Sequence, residues 1–145
     1  MKLSLTDIDI KPRTKVMVRV DFNLPLELGP TELIKYQHRL IESLPTINYL
    51  IEKRCIVILC SHAGRPKGKI DESLRLKPIG DLLAGLLNRE VMSLQNVTGS
   101  DVKNYIATAP ESHVILLENL RFEAGEELND PTFARSLADL ADIFV

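Results

Sequence analysis

The 145-residue chain is predicted to fold as one α/β domain, a parallel sheet between two layers of helices in a three-layer, Rossmann-like α/β/α arrangement. Three observations predict it. Segments with strand character alternate with segments of helical periodicity along the whole chain. The strand segments are apolar without alternation, the pattern of strands covered on both faces. A hydrophobic share of 45% supplies a sizeable core, and no linker, internal repeat or low-complexity tract divides it.

The elements follow in order. Lys15-Val16-Met17-Val18-Arg19-Val20 is a β-branched run ending at Asp21-Phe22-Asn23-Leu24-Pro25, where Pro25, Gly29 and Pro30 predict an irregular loop. From His38 to Arg54, Leu40, Ile41, Leu44, Ile47 and Ile51 recur at helical spacing, with Pro45 expected to kink the helix or mark where its regular part begins. Ile56-Val57-Ile58-Leu59-Cys60 is a solid apolar strand, followed by a basic, glycine-containing loop from Ser61 to Lys69. Pro78 opens a helix to Asn88 whose Gly80 and Gly85 each weaken its propensity by about 1 kcal/mol. A weak strand at Val91–Leu94 and a helix over Ser100–Thr108 lead to His113-Val114-Ile115-Leu116-Leu117, another buried strand, closed by Glu118-Asn119-Leu120-Arg121-Phe122. Asp130-Pro131 supplies an N-cap and a proline at the first helical position for a helix through Leu140. Ile143-Phe144-Val145 reads as one more central strand.

Charge and cysteine usage narrow the function. Eighteen Lys and Arg against twenty Asp and Glu leave a formal charge of −2, which removes a global case for nucleic acid or an anionic membrane. The first residues carry no apolar signal region, and no run approaches the roughly 18 apolar residues of a membrane span. Cys55 and Cys60 stand five apart on one strand, so they face opposite ways with Cα atoms about 16 Å apart. A disulfide needs less than about 7 Å, so no bridge joins them in that conformation. Two buried thiols predict a reducing compartment, and the expected location is the cytoplasm.

In open parallel sheets, ligands collect beyond the carboxyl ends of the strands. Here those ends read Asp21-Phe22-Asn23, Ser61-His62 with Arg65, and Glu118-Asn119 with Arg121. The candidate site therefore consists of Asp21, Asn23, Arg39, His62, Arg65 and Arg121. Guanidinium forks match the oxygens of carboxylates and phosphates, so converging arginines suit a small anion carrying both groups. Each residue also has a plain structural reading: an arginine capping a helix or pairing with a surface acid, an aspartate satisfying loop amides. His38 and His113 read as structural. The spacing of Gly64-Arg65-Pro66-Lys67-Gly68-Lys69 fails the phosphate-loop pattern, and dinucleotide, zinc and nucleophile-elbow motifs are missing from the sequence.

The same segments resemble the N-terminal, 3-phosphoglycerate-binding domain of the phosphoglycerate kinases. The resemblance runs in order through Val18-Arg19-Val20-Asp21-Phe22-Asn23-Leu24-Pro25, Arg39 with Leu44-Pro45-Thr46-Ile47, and Ser61-His62-Ala63-Gly64-Arg65-Pro66. It continues through Ser73-Leu74-Arg75-Leu76-Lys77-Pro78, Leu116-Leu117-Glu118-Asn119-Leu120-Arg121-Phe122, Glu126-Glu127-Leu128-Asn129-Asp130-Pro131 and Leu140-Ala141-Asp142. Three departures stand out: Ala63 replaces a usual leucine, the segment from Glu27 to His38 is longer, and Tyr36-Gln37-His38 is an unfamiliar lead-in to Arg39.

What the resemblance implies is specific. Residues 1–145 form one lobe of a two-lobe kinase that moves a phosphoryl group reversibly between 1,3-bisphosphoglycerate and ADP, giving 3-phosphoglycerate and ATP. Asp21, Asn23, Arg39, His62, Arg65 and Arg121 take substrate-binding roles, with Arg39 catalytic as well. Mg-ATP or Mg-ADP belongs to the family's C-terminal domain, absent from these residues, so no cofactor or metal is expected on this chain, which alone is expected to be inactive. The small-molecule substrate is the expected partner, with no nucleic acid and no membrane. The family is usually monomeric, and self-association of this lobe is left open. The alternative reading is a non-enzymatic homologue, an anion-binding or interaction module.

Overall fold

The structure is a computed structural model that describes residues 2–145. Five parallel strands form one sheet in the order β3-β4-β2-β1-β5: β1 Lys15–Arg19, β2 Ile56–Cys60, β3 Val91–Ser93, β4 Val114–Leu116 and β5 Ile143–Phe144. The helices are α1 Pro30–Leu33, α2 His38–Glu52, α3 Lys77–Leu87, α4 Ser100–Thr108, α5 Ala124–Glu127 and α6 Pro131–Ala138. The parallel register of the central pair runs from Lys15 opposite Ile56 to Arg19 opposite Cys60.

Alternation along the strands divides the core in two. Val16, Val18, Val57, Leu59, Val114 and Leu116 point to one face, where Leu40, Ile47 and Leu50 of α2 and Ile79 and Leu83 of α3 cover them. Met17, Ile56, Ile58, Cys60, Ile115 and Leu117 point to the other, under Val102 and Ile106 of α4 and Phe133 and Leu137 of α6. Connections running from β1 through β2 to β3 thus use one face, and those returning through β4 to β5 use the other. Crossovers of a single hand require that division.

Several expectations are corrected. Ile41 lies on the exposed side of α2, and Leu50 takes its place in the core. The helix also runs through Pro45. Pro45 is exposed, as is Ile41, whose carbonyl the missing N–H leaves open to water. The loop expected around Gly29–Pro30 holds α1 and a 3-10 turn at Ile34–Tyr36, too short to show as periodicity. β5 lies at the sheet edge, pairing only with β1, and Phe144 stays exposed. Asp142 secures it: its carboxylate accepts from the Lys15 N–H at 2.9 Å.

Cys55 and Cys60 are buried, free and on opposite faces of the sheet. Burial pushes the Cys60 thiol up to about 11 against the opposing pull of Arg19. Tyr105 and His113 share a 2.8 Å hydrogen bond, in keeping with a structural role for that histidine. Among the described residues, no helix is long and apolar enough to cross a membrane.

Candidate functional site

The loops leaving β1 and β2 turn toward the α2–α3 face, while those leaving β3 and β4 turn toward the other. Because β2 and β4 are neighbours, the loops that leave their carboxyl ends diverge toward opposite faces at that point, where ligands of open parallel sheets bind. The floor beneath these loops is built from buried polar groups. Asn119 is fully buried; its Oδ1 accepts from the Arg121 N–H at 3.1 Å and, less closely, from that of Ala63, while Nδ2 donates to the Ala63 and Leu74 carbonyls at 2.8 and 3.0 Å. Glu118 beside it accepts from the Leu76 and Asn119 amides at 3.0 and 2.8 Å and from Arg75 Nη1 at 3.1 Å. Ser61 Oγ accepts from the Phe22 N–H at 3.0 Å. These contacts fix the loops after β1, β2 and β4 to one another before any ligand arrives.

The rim residues stand on that floor. Asn23 Oδ1 accepts from the Gly64 N–H at 3.1 Å, joining the first two loops. Gly64 has φ +63°, and a Cβ there would lie 2.7 Å from Leu74, so glycine alone fits without strain. Asp21 Oδ2 accepts from Arg39 Nη1 at 2.5 Å, which aims the guanidinium from the first turn of α2. An open cavity of about 560 Å³ adjoins this pair, lined by Asn23, Leu24, Pro25, Glu27, Tyr36, His38, Arg39 and Gly64. Tyr36 and His38, the unfamiliar lead-in, thus form part of its wall. The expectation of a structural His38 gives way to an exposed, cavity-lining one.

The remaining candidates gather elsewhere on the rim. Arg121 follows the Asn119 cap, and its guanidinium lies 3.5 Å from both Glu126 and Glu127. Arg19, the last residue of β1, donates to Glu126 Oε1 at 2.9 Å. His62 connects the two groups electrostatically. Burial first, then the charge of Arg121, pull its pKa below the ordinary 6.5; Glu126 opposes them, Arg19 adds a smaller downward pull, and Asp21 a smaller upward one. A neutral imidazole is therefore favoured at neutral pH. Arg65 is exposed and, among the described residues, pairs with no acid.

The structure brings Asp21, Asn23 and Arg39 to one cavity, while His62 and Arg121 share the neighbouring cluster around Glu126. Sequence reasoning misses Arg19 and Glu126. A charged residue closing an otherwise buried strand is the signal for Arg19. Glu126 sits on α5, a single turn with no periodic trace. Among the described residues, no three His, Cys, Asp or Glu side chains are grouped to hold a metal. The rim acids Asp21 and Glu126 are engaged by arginines.

Comparison with known proteins bears on family and fold. A family model described as phosphoglycerate kinase matches residues 5–145. The chain is 47% identical over 144 residues to the phosphoglycerate kinase of Moorella thermoacetica, and 49% identical over 143 residues to that of Dictyoglomus turgidum. Each match covers 99% of this chain but only 36% and 35% of the relative, so the chain spans about a third of their length. The crystal structure of phosphoglycerate kinase from Pyrococcus horikoshii OT3 superposes with a TM-score of 0.83 at 28% identity, over 99% of this chain and 36% of that one. The Coxiella burnetii phosphoglycerate kinase gives 0.77 at 30% identity, over 98% and 34%. With nearly all of its residues matched, the parallel sheet shared and the strand-end motifs in place, the chain belongs to the phosphoglycerate kinase family.

Proposed function

We propose that this chain is the 3-phosphoglycerate-binding lobe of a phosphoglycerate kinase, in which 1,3-bisphosphoglycerate and ADP interconvert with 3-phosphoglycerate and ATP. The observation that carries the reading is that Asp21, Asn23, His62, Arg65 and Arg121, on the loops after β1, β2 and β4, and Arg39, in the first turn of α2, all follow the carboxyl ends of strands, over a floor already satisfied in its hydrogen bonds. The rim offers cationic forks, a neutral imidazole and an amide. It offers no activated nucleophile, and phosphoryl transfer needs none from the protein: it depends on positioning and on stabilising charge.

The division of labour follows from position. Arg39, held by Asp21, faces the open cavity and is the group assigned to the reacting carboxylate. His62, Arg65 and Arg121 are assigned to the remaining oxygens of the substrate, phosphate above all. Asn23 keeps the β1 and β2 loops at fixed separation and presents its amide beside them. ATP and ADP are assigned, as the family resemblance implies, to a part of the enzyme other than this lobe.

Titrating the chain with 3-phosphoglycerate under two-dimensional NMR tests the reading. Backbone and side-chain signals of Asn23, Arg39, His62, Arg65 and Arg121 are expected to move together and saturate. Signals that stay fixed at millimolar ligand would overturn the assignment.

A further inference from the structure

The Glu126 carboxylate has a position that substrate binding alone does not explain. It is an acid in the middle of a site read as anion-binding. Its side chain is only 12% exposed, with Oε1 2.9 Å from Arg19 Nη2 and Oε2 3.5 Å from Arg121 Nε. Burial raises its pKa, but the Arg19 hydrogen bond and the charges of Arg19, Arg121 and His62 outweigh that and hold it below the ordinary carboxylate range. It is therefore an anion at neutral pH. The turn that carries it is pinned: the Gly68 N–H donates to the Arg121 carbonyl at 3.0 Å, and the Asp130 N–H to the Gly125 carbonyl at 2.9 Å.

The two arginines are not held alike. Arg19 makes a true hydrogen bond to Glu126. Arg121 Nε is buried, and 3.5 Å to a carboxylate oxygen leaves it without a hydrogen-bond partner. Glu126, with the more exposed Glu127 at the same distance, thus opposes the charge of Arg121 without fixing it through a hydrogen bond. A phosphate or carboxylate arriving beside this guanidinium meets a fixed negative charge.

We propose that Glu126 is an internal counter-anion of the substrate site: it keeps Arg19 and Arg121 in place while the site is empty and is displaced, or repelled, when a substrate anion binds. The proposal rests on the substrate-lobe reading above. Its consequence is a deliberate weakening of anion affinity, so that the site exchanges its ligand readily. Glu126 is a positioning residue acting through Arg19 and Arg121, and it needs no contact with substrate.

Glu126→Gln tests it. The amide oxygen still accepts from Arg19, so the fold keeps its contact while the charge is gone. Isothermal titration with 3-phosphoglycerate, and with inorganic phosphate as a simpler probe, is expected to show about three- to ten-fold tighter binding at low salt, with the gain shrinking as ionic strength rises. Glu127→Gln removes the same charge from a more exposed neighbour and is expected to show less than half that gain. The His62 titration midpoint should drop further in Glu126→Gln, since Arg121 and Arg19 then act on it with only Asp21 opposing. In the unsubstituted chain, the Glu126 carboxylate ¹³C signal should move on saturation with 3-phosphoglycerate, which supports the proposal even if the variant folds poorly. Binding by the unsubstituted chain with equal or weaker binding by Glu126→Gln overturns the proposal and leaves the substrate assignment standing. Silence of both proteins toward both ligands overturns the two together.

Discussion

Asn119 and His62 show how residues of similar appearance in the sequence take different work. Both are polar residues just beyond a buried strand, yet Asn119 is sealed in the floor and His62 lies at the rim. Replacing Asn119 with alanine leaves the buried Ala63 carbonyl, and the part-buried Leu74 carbonyl and Arg121 amide, without their partner. Each unpaired buried group costs about 1–3 kcal/mol, so Asn119→Ala is expected to lower stability by about 3 kcal/mol in urea denaturation. A loss below about 1 kcal/mol would show that the loops do not depend on it. His62 carries a prediction of the opposite kind. Its folded pKa is below the unfolded 6.5, so the folded chain binds protons less readily than the unfolded one. The stability this contributes is present above that value and is lost as pH falls through it toward the lowered folded pKa. NMR titration of the imidazole should give a midpoint under 6.5 in the free chain, moving upward when 3-phosphoglycerate adds negative charge. A free-chain midpoint above that value contradicts the burial argument. Sequence reading places both residues at strand ends, which carry polar groups for either purpose, and selects only His62 as a site candidate; burial shows Asn119 to be scaffold.

At the scale of an element, α3 makes the same point with two glycines. Propensity treats Gly80 and Gly85 as equal weaknesses of the helix. A Cβ at Gly80 would lie 2.1 Å from Ser93 Oγ and 3.4 Å from Leu116, because the helix there presses against β3 and β4. At Gly85 nothing lies within 4 Å. Gly80→Ala is therefore expected to lose about 1–2 kcal/mol, overpacking outweighing the helical gain, while Gly85→Ala gains about 0.5–1 kcal/mol. Paired thermal melts of the two variants check the signs, and a stabilised Gly80→Ala would mean that α3 can move off the sheet at little cost. The main helices and strands are legible in the sequence because each buries a long apolar pattern. The turns at Pro30–Leu33 and Ala124–Glu127 are not, since a single turn has no period and is held by what it touches. That is why Glu126, at the centre of the cationic cluster, carries no sequence signal of its role.

Across the whole molecule, the sheet converts distant segments into one edge. Arg39, His62, Arg65 and Arg121 are separated along the chain, and the order β3-β4-β2-β1-β5 brings the loops of the three middle strands side by side. This concentration of positive charge is stabilised only in part from within, by Asp21 on Arg39, by Glu126 on Arg19 and Arg121, and by Glu127 on Arg121. An anion bound there would tie the β1, β2 and β4 loops together, and unfolding would have to release it. Any ligand of the folded state alone stabilises it by RT ln(1 + [L]/Kd), or about 1.4 kcal/mol at ten times Kd. For a domain of this size that corresponds to a rise in Tm of about 3–6 °C. Sulfate and phosphate are therefore expected to raise the melting temperature relative to chloride at matched ionic strength, and 3-phosphoglycerate to do so at lower concentration than either. General salting effects act on every variant alike, so the specific part is isolated by Arg121→Ala, which should lose most of the difference between phosphate and matched chloride. A melting temperature indifferent to all three anions, or an increment that survives in Arg121→Ala, would remove the anion from the edge of the sheet.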